Sequence, residues 1–112
     1  VLVSYKQGLL GTEDFQAPEH KAIEEANKPM EICTTMCSGP DGKGVSWGYL
    51  KDSGYHKSED EVWETLAKAR ASGCNLLLNT GPLPDGSLDE VDVSVLKAVG
   101  QRIRNEGFPG EG

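Results

Sequence analysis

Basic charge is scarce in this chain. Its 112 residues carry 11 Lys and Arg against 18 Asp and Glu, a formal net charge of −7. Nucleic-acid binders need a basic face to neutralise phosphates, so that class of partner is excluded. The balance suits a protein acting on neutral ligands. Long apolar runs are missing as well. None approaches the roughly 20 residues that span a bilayer as a helix, and no membrane partner is expected. No segment repeats at a solenoid period and none is low-complexity. Cysteine is confined to Cys33, Cys37 and Cys74, an odd set that cannot close into disulfides within this chain. Cys33 and Cys37 have three residues between them, not the two of zinc knuckles and redox pairs. Adding His20 and His56 gives no standard ligand spacing. Structural or free cysteines are expected, and no metal.

What remains is enough for one small domain with one core. The chain opens at Val1 directly in an apolar run, Val1-Leu2-Val3, so a fragment of a longer protein is expected. In such a piece the lack of a visible signal peptide says nothing. Val1 to Tyr5 reads as a buried strand ended by Lys6-Gln7-Gly8. Residues 11–29 are polar, carry Pro18 and Pro29, and read as a long ordered loop of the functional kind. Met30 to Met36 reads as a second strand, and Ser38 to Gly44 as a Gly-rich turn. Ser58 and Glu61 form a capping box at the start of a helix whose apolar stripe is Val62, Leu66 and Ala69, flanked by Trp63 and Ala67. Gly73 stops it. Cys74 to Asn79 is a continuous apolar run, which predicts a strand buried on both faces. After a turn-rich loop from Gly81 to Gly86, a helix is expected from Asp89 to Asn105, with Val91, Val95, Leu96, Val99 and Ile103 inward. A helix between two strands implies that they pair in parallel.

Glu31 is the residue that asks for an explanation. It stands in an apolar, β-prone run, Met30-Glu31-Ile32-Cys33, just after Pro29. An apolar setting favours the neutral, proton-donating form of a carboxyl. The bland reading, a solvent-facing edge position, is weakened by the Met, Ile and Cys around it. Glu13-Asp14 in the preceding loop are further carboxylates, with turn chemistry or a salt bridge as their ordinary role. Gly39 to Lys43 is not a phosphate loop, because Gly44 follows where Ser or Thr is required. Glu59-Asp60-Glu61 offsets a helix dipole. Trp47 and Tyr49 flank a glycine and suit either a core or a platform for a sugar ring. Asn79 ends an apolar strand at the edge where parallel folds place ligands, or else caps the turn that follows.

Four blocks together resemble a known family. They are Gly11-Thr12-Glu13-Asp14-Phe15 with Pro18-Glu19, then Met30-Glu31-Ile32-Cys33-Thr34-Thr35-Met36, then Ser46-Trp47-Gly48-Tyr49, and Gly73-Cys74-Asn75-Leu76-Leu77-Leu78-Asn79-Thr80-Gly81-Pro82 with Asp85-Gly86. Their order and spacing resemble the α-L-fucosidases of glycoside hydrolase family 29, over nearly the whole chain. The resemblance implies an α/β fold: a partial (β/α)8-like TIM barrel, last strands and helices only. Residues 1–112 would be the C-terminal fragment of that catalytic barrel. It implies retaining hydrolysis of terminal α-L-fucosyl residues through a covalent fucosyl-enzyme, with a fucosylated glycan as substrate and no cofactor. The nucleophilic aspartate would lie upstream of Val1, and the fragment alone would be inactive. Glu31 matches the family's acid/base in a Trp-Glu-x-Cys context, with Met30 in place of the Trp; Glu13 is the second candidate. Lys6 falls near an arginine that contacts fucose, but without the guanidinium fork. Trp47 matches an aromatic suited to the fucose methyl. Secreted, periplasmic or lysosomal placement follows from the resemblance alone. A glycosidase of other sugar specificity and a non-catalytic carbohydrate-binding relative are the alternatives.

Overall fold

The computed structural model describes residues 15, 17–19, 29–37, 47–48 and 55–109. The expected strand at 1–5, the Gly-rich turn, and Lys6, Glu13, His20 and Tyr49 lie outside the described residues. Strand β1 (Met30–Thr35), helix α1 (Glu59–Ala71), strand β2 (Cys74–Asn79) and helix α2 (Glu90–Glu106) follow one another. The strands pair in parallel, with Met30 opposite Cys74 and Thr35 opposite Asn79. Parallel strands need a long crossover, and α1 supplies part of it.

Local chemistry sets the helix ends. The Ser58 hydroxyl accepts from the Glu61 amide, and the Glu61 side chain accepts from the Ser58 amide, which closes the capping box. Glu59, Asp60 and Glu61 place negative charge at the positive end of the dipole. Gly73 follows the last turn with φ +71°, a left-handed conformation that disfavours a side chain. Asp89 caps α2 by accepting from the Val91 amide, and Gly107 ends it with φ +78°. Losing the Ser58 hydroxyl should cost about 1 kcal/mol of local stability. Hydrogen exchange in the first turn of α1 should therefore quicken by about fivefold in Ser58→Ala. Unchanged exchange would mean that the cap contributes nothing.

Both helices cover one face of the sheet. Met30, Ile32, Cys74 and Ala69 form one buried group, with Leu76 against it. Met36, Cys37, Val62 and Val99 form another, joined by Trp63, Leu78, Val95, Leu96 and Ile103. Burying a side chain such as Met36 contributes about 2 kcal/mol. The Arg102 guanidinium lies over the Trp63 ring, 4.1 Å from its centre, and joins the two helices.

Two expectations are corrected. β2 is not buried on both faces, for Leu77 is 52% exposed. The helices reach only the side carrying Cys74, Leu76 and Leu78, and Leu77 projects from the other. Val91 is not on the inner face of α2, being 53% exposed; Asp92 is fully buried instead. Asp92, Val95, Leu96, Val99 and Ile103 share one helical stripe, and Val91 is rotated out of it. A buried carboxylate is tolerated only with partners. Thr80 Oγ1 donates to Asp92 Oδ2 at 2.6 Å, and His56 Nδ1 lies 2.7 Å from Oδ1.

Candidate functional site

Alternation along the strands puts Glu31, Cys33 and Thr35 on the sheet face away from the helices, beside Asn75, Leu77 and Asn79. The C-terminal end of this face is closely knit. The Asn79 amide nitrogen donates to Thr35 Oγ1 at 3.0 Å and to the Trp47 carbonyl at 2.8 Å. The Met36 amide donates to the Asn79 carbonyl at 2.9 Å, which extends the ladder one step past β1. Lys57 Nζ donates to the Thr35 carbonyl at 2.6 Å; burial lowers its pKa below the usual lysine value. Gly81 packs so closely on Gly48 that a Cβ there would lie 2.6 Å from the Gly48 carbonyl oxygen. Asn79 and Gly81 thus hold the Trp47–Gly48 segment from one loop. Trp47, anchored through its backbone carbonyl, is 38% exposed. Asn79 acts here as a cross-link between loop and strand, a role wider than capping its own turn.

The expected carboxylates are distributed unevenly. Glu31 is half-buried and sits opposite Asn75 near the start of β1. Thr35 lies four positions further on, about 13 Å at the usual strand rise. A second carboxylate lies nearer the knit end. Glu19 forms a parallel bridge with Cys33, and the Cys33 amide donates to the Pro18 carbonyl at 3.0 Å. That places residues 17–19 along the edge of β1 away from β2, with Glu19 at the register of Cys33 and on its face. Glu19 is half-buried. It stands two positions closer than Glu31 to the end where Trp47 and Asn79 meet. The sequence offered Glu19 only as part of the Pro18-Glu19 block. Its pairing with a residue beyond the long loop carries no local signal.

Cys33, Cys37 and Cys74 are free thiols. Burial, then the Asp92 carboxylate, raises the Cys37 pKa above the ordinary thiol value, and burial alone raises that of Cys74. No described helix is long and apolar enough to cross a membrane.

The chain is 34% identical over 92 residues to the tissue alpha-L-fucosidase of Mus musculus, across 80% of this chain and 17% of that protein. It is 32% identical to the Rattus norvegicus protein over the same shares. The chain therefore spans less than a fifth of these relatives' length. Among solved structures it is similar to the Thermotoga maritima alpha-fucosidase, at 25% identity and a TM-score of 0.75, over 95% of this chain and 23% of that one. It is also similar to alpha-L-fucosidase isoenzyme 1 of Paenibacillus thiaminolyticus, at 29% identity and a TM-score of 0.69, over 85% and 23%. A family model described as alpha-L-fucosidase matches residues 1–107, and the chain belongs to that family.

Proposed function

We propose that the protein carrying this chain is a retaining exo-glycosidase that removes terminal α-L-fucosyl residues from glycans. The observation that carries this reading is the sheet face itself. It bears Glu19 and Glu31 on neighbouring strand positions, and at its C-terminal end the anchored Trp47 segment. Parallel α/β folds place ligands at that end. A relative of similar fold, the Thermotoga maritima alpha-fucosidase, is known in complex with fucose. The two strands and two helices would then be closing elements of a (β/α)8-like barrel.

The chemistry follows from the carboxylates. One, protonated at rest, gives its proton to the leaving oxygen while an aspartate elsewhere in the protein attacks the anomeric carbon. The same group, now ionised, then takes a proton from the water that releases fucose. Retention requires the two carboxyls to lie about 5–5.5 Å apart. Glu31 fits the motif for this role. The register favours Glu19 as a second reading, because it lies closer to the ligand end of the strand. Trp47 would meet the fucose methyl, and no metal enters the steps.

Turnover of an aryl α-L-fucoside, against little or none of aryl glycosides of other sugars, is the expected result. Equal rates across sugars would contradict the fucose assignment. Heat protection by L-fucose without turnover would show a binding relative instead. Asn79→Ala should remove the bond to the Trp47 carbonyl and cost about 1 kcal/mol of positioning. The fucoside KM should rise about fivefold, with Trp47 more open to a fluorescence quencher. An unchanged KM would detach Asn79 from the site.

A further inference from the structure

One side-chain cluster has no part in the fucoside chemistry. On the helix side of the sheet, Cys37 Sγ lies 3.4 Å from His56 Nδ1 and 3.9 Å from Asp92 Oδ2. His56 Nδ1 in turn lies 2.7 Å from the other carboxylate oxygen, Asp92 Oδ1. The donor atoms of all three residues fall within 4.8 Å of one another. Three separate segments bring them together: the end of β1, the loop before α1, and the first turn of α2. Backbone pairing fixes two of them, since Cys37 and His56 form an antiparallel bridge and the Lys57 amide donates to the Met36 carbonyl at 2.9 Å.

A nucleophilic triad is the first reading to consider, and the geometry rejects it. In a triad the imidazole turns one nitrogen to the acid and the other to the nucleophile. Here Nδ1 is the nearer nitrogen to both groups, and Nε2 stands 4.0 Å from Cys37 Sγ. The thiol is also buried, away from any substrate. One atom from each of the three side chains instead lies within 4.8 Å of the others, close enough for a single ion to bridge them. We propose that Cys37, His56 and Asp92 bind a divalent transition metal of the zinc class.

The donor set fits that choice. Thiolate and imidazole select zinc-type ions over Mg2+ and Ca2+, which take oxygen cages. Metal–ligand distances of about 2.0–2.3 Å put two ligands of a tetrahedral zinc about 3.3–3.6 Å apart. The thiol–imidazole distance already meets this. The imidazole–carboxylate hydrogen bond must open by about 0.6 Å to meet it. One thiolate and one carboxylate balance the charge of a dication around a neutral imidazole. On binding, the thiol proton leaves to solvent and the imidazole carries its proton on Nε2. Thr80, whose hydroxyl donates to Asp92 Oδ2, orients the carboxylate from behind. The His56 side chain is 16% exposed, which gives an ion and a fourth, solvent ligand a way in. A metal there would pin the loop before α1 to β1 and α2, and it would do so whether or not the protein cleaves fucosides.

Co2+ is the probe. The full-length protein, stripped with a chelator, should bind one equivalent with a thiolate-to-cobalt charge-transfer band in the near ultraviolet. Zn2+ should bleach the band, and Zn2+ should raise the melting temperature. Cys37→Ser should abolish the band. Thr80→Val, which leaves all three ligands in place, should weaken Co2+ about 10–100-fold. A stripped protein that shows no thiolate band with Co2+, or a Cys37→Ser variant that keeps the band, would overturn the proposal and leave a hydrogen-bonded cluster.

Discussion

If strand register decides which carboxylate is the acid, Glu19→Gln in the full-length protein slows hydrolysis of fucosides with poor leaving groups by about 10²–10⁴-fold. Activated aryl fucosides should lose far less, because a good leaving group departs without a proton. The argument rests on register. Glu19 pairs with Cys33, two positions from the strand end where Thr35 bonds Asn79 and Asn79 holds Trp47. Glu31 pairs with Asn75, two positions further back on the same face. Glu31→Gln provides the contrast. If it shows the leaving-group dependence and Glu19→Gln does not, the motif outranks the register and Glu31 is the acid. A flat loss on both substrate types for both variants would remove each from the role. Glutamine is the suitable replacement, since it keeps the shape and hydrogen bonding but cannot give up a proton.

Gly81→Ala should produce the next largest change. Its new methyl would meet the Gly48 backbone, with the carbonyl oxygen at 2.6 Å, the carbonyl carbon at 2.8 Å and the Cα at 3.2 Å. Backbone cannot rotate away as a side chain can, so the Trp47–Gly48 segment must shift. Overpacking of this kind costs about 1–3 kcal/mol. The same displacement lifts Trp47 from its anchor on Asn79. The KM for fucosides should rise about tenfold, since roughly 1.4 kcal/mol of lost ground-state contact corresponds to that factor. Gly86→Ala is the control, for it leaves the tertiary surroundings open and adds only the strain of φ +88°. If the two variants behave alike, the close approach of Gly81 to Gly48 has no bearing on the site.

Those parts of the fold written in neighbouring residues were legible in the sequence. Ser58 and Glu61 announced α1, Gly73 announced where it stops, and the helix between apolar runs announced parallel pairing. Properties that depend on distant chain were not. The apolar run at β2 says nothing about which face is covered, and Leu77 is half exposed because both helices lie on the other side. The stripe on α2 was misread at Val91 because apolar residues were counted as inward. Asp92 turned inward instead, since His56, 36 residues away, and Thr80 await it. Cys37 and Asp92 are 55 positions apart, with His56 between them, so no spacing rule could collect the three. Glu31 stood out because it was alone in an apolar run. Glu19 was hidden among polar neighbours until its strand pairing was known.

The first anomer released decides the central claim, that a carboxylate of this face serves as acid and then as base opposite a nucleophile. Proton NMR of an aryl α-L-fucoside digest, read before mutarotation, should show α-L-fucose appearing first. β-L-Fucose as the first product would mean direct attack by water, and the retaining, two-carboxylate account would be wrong.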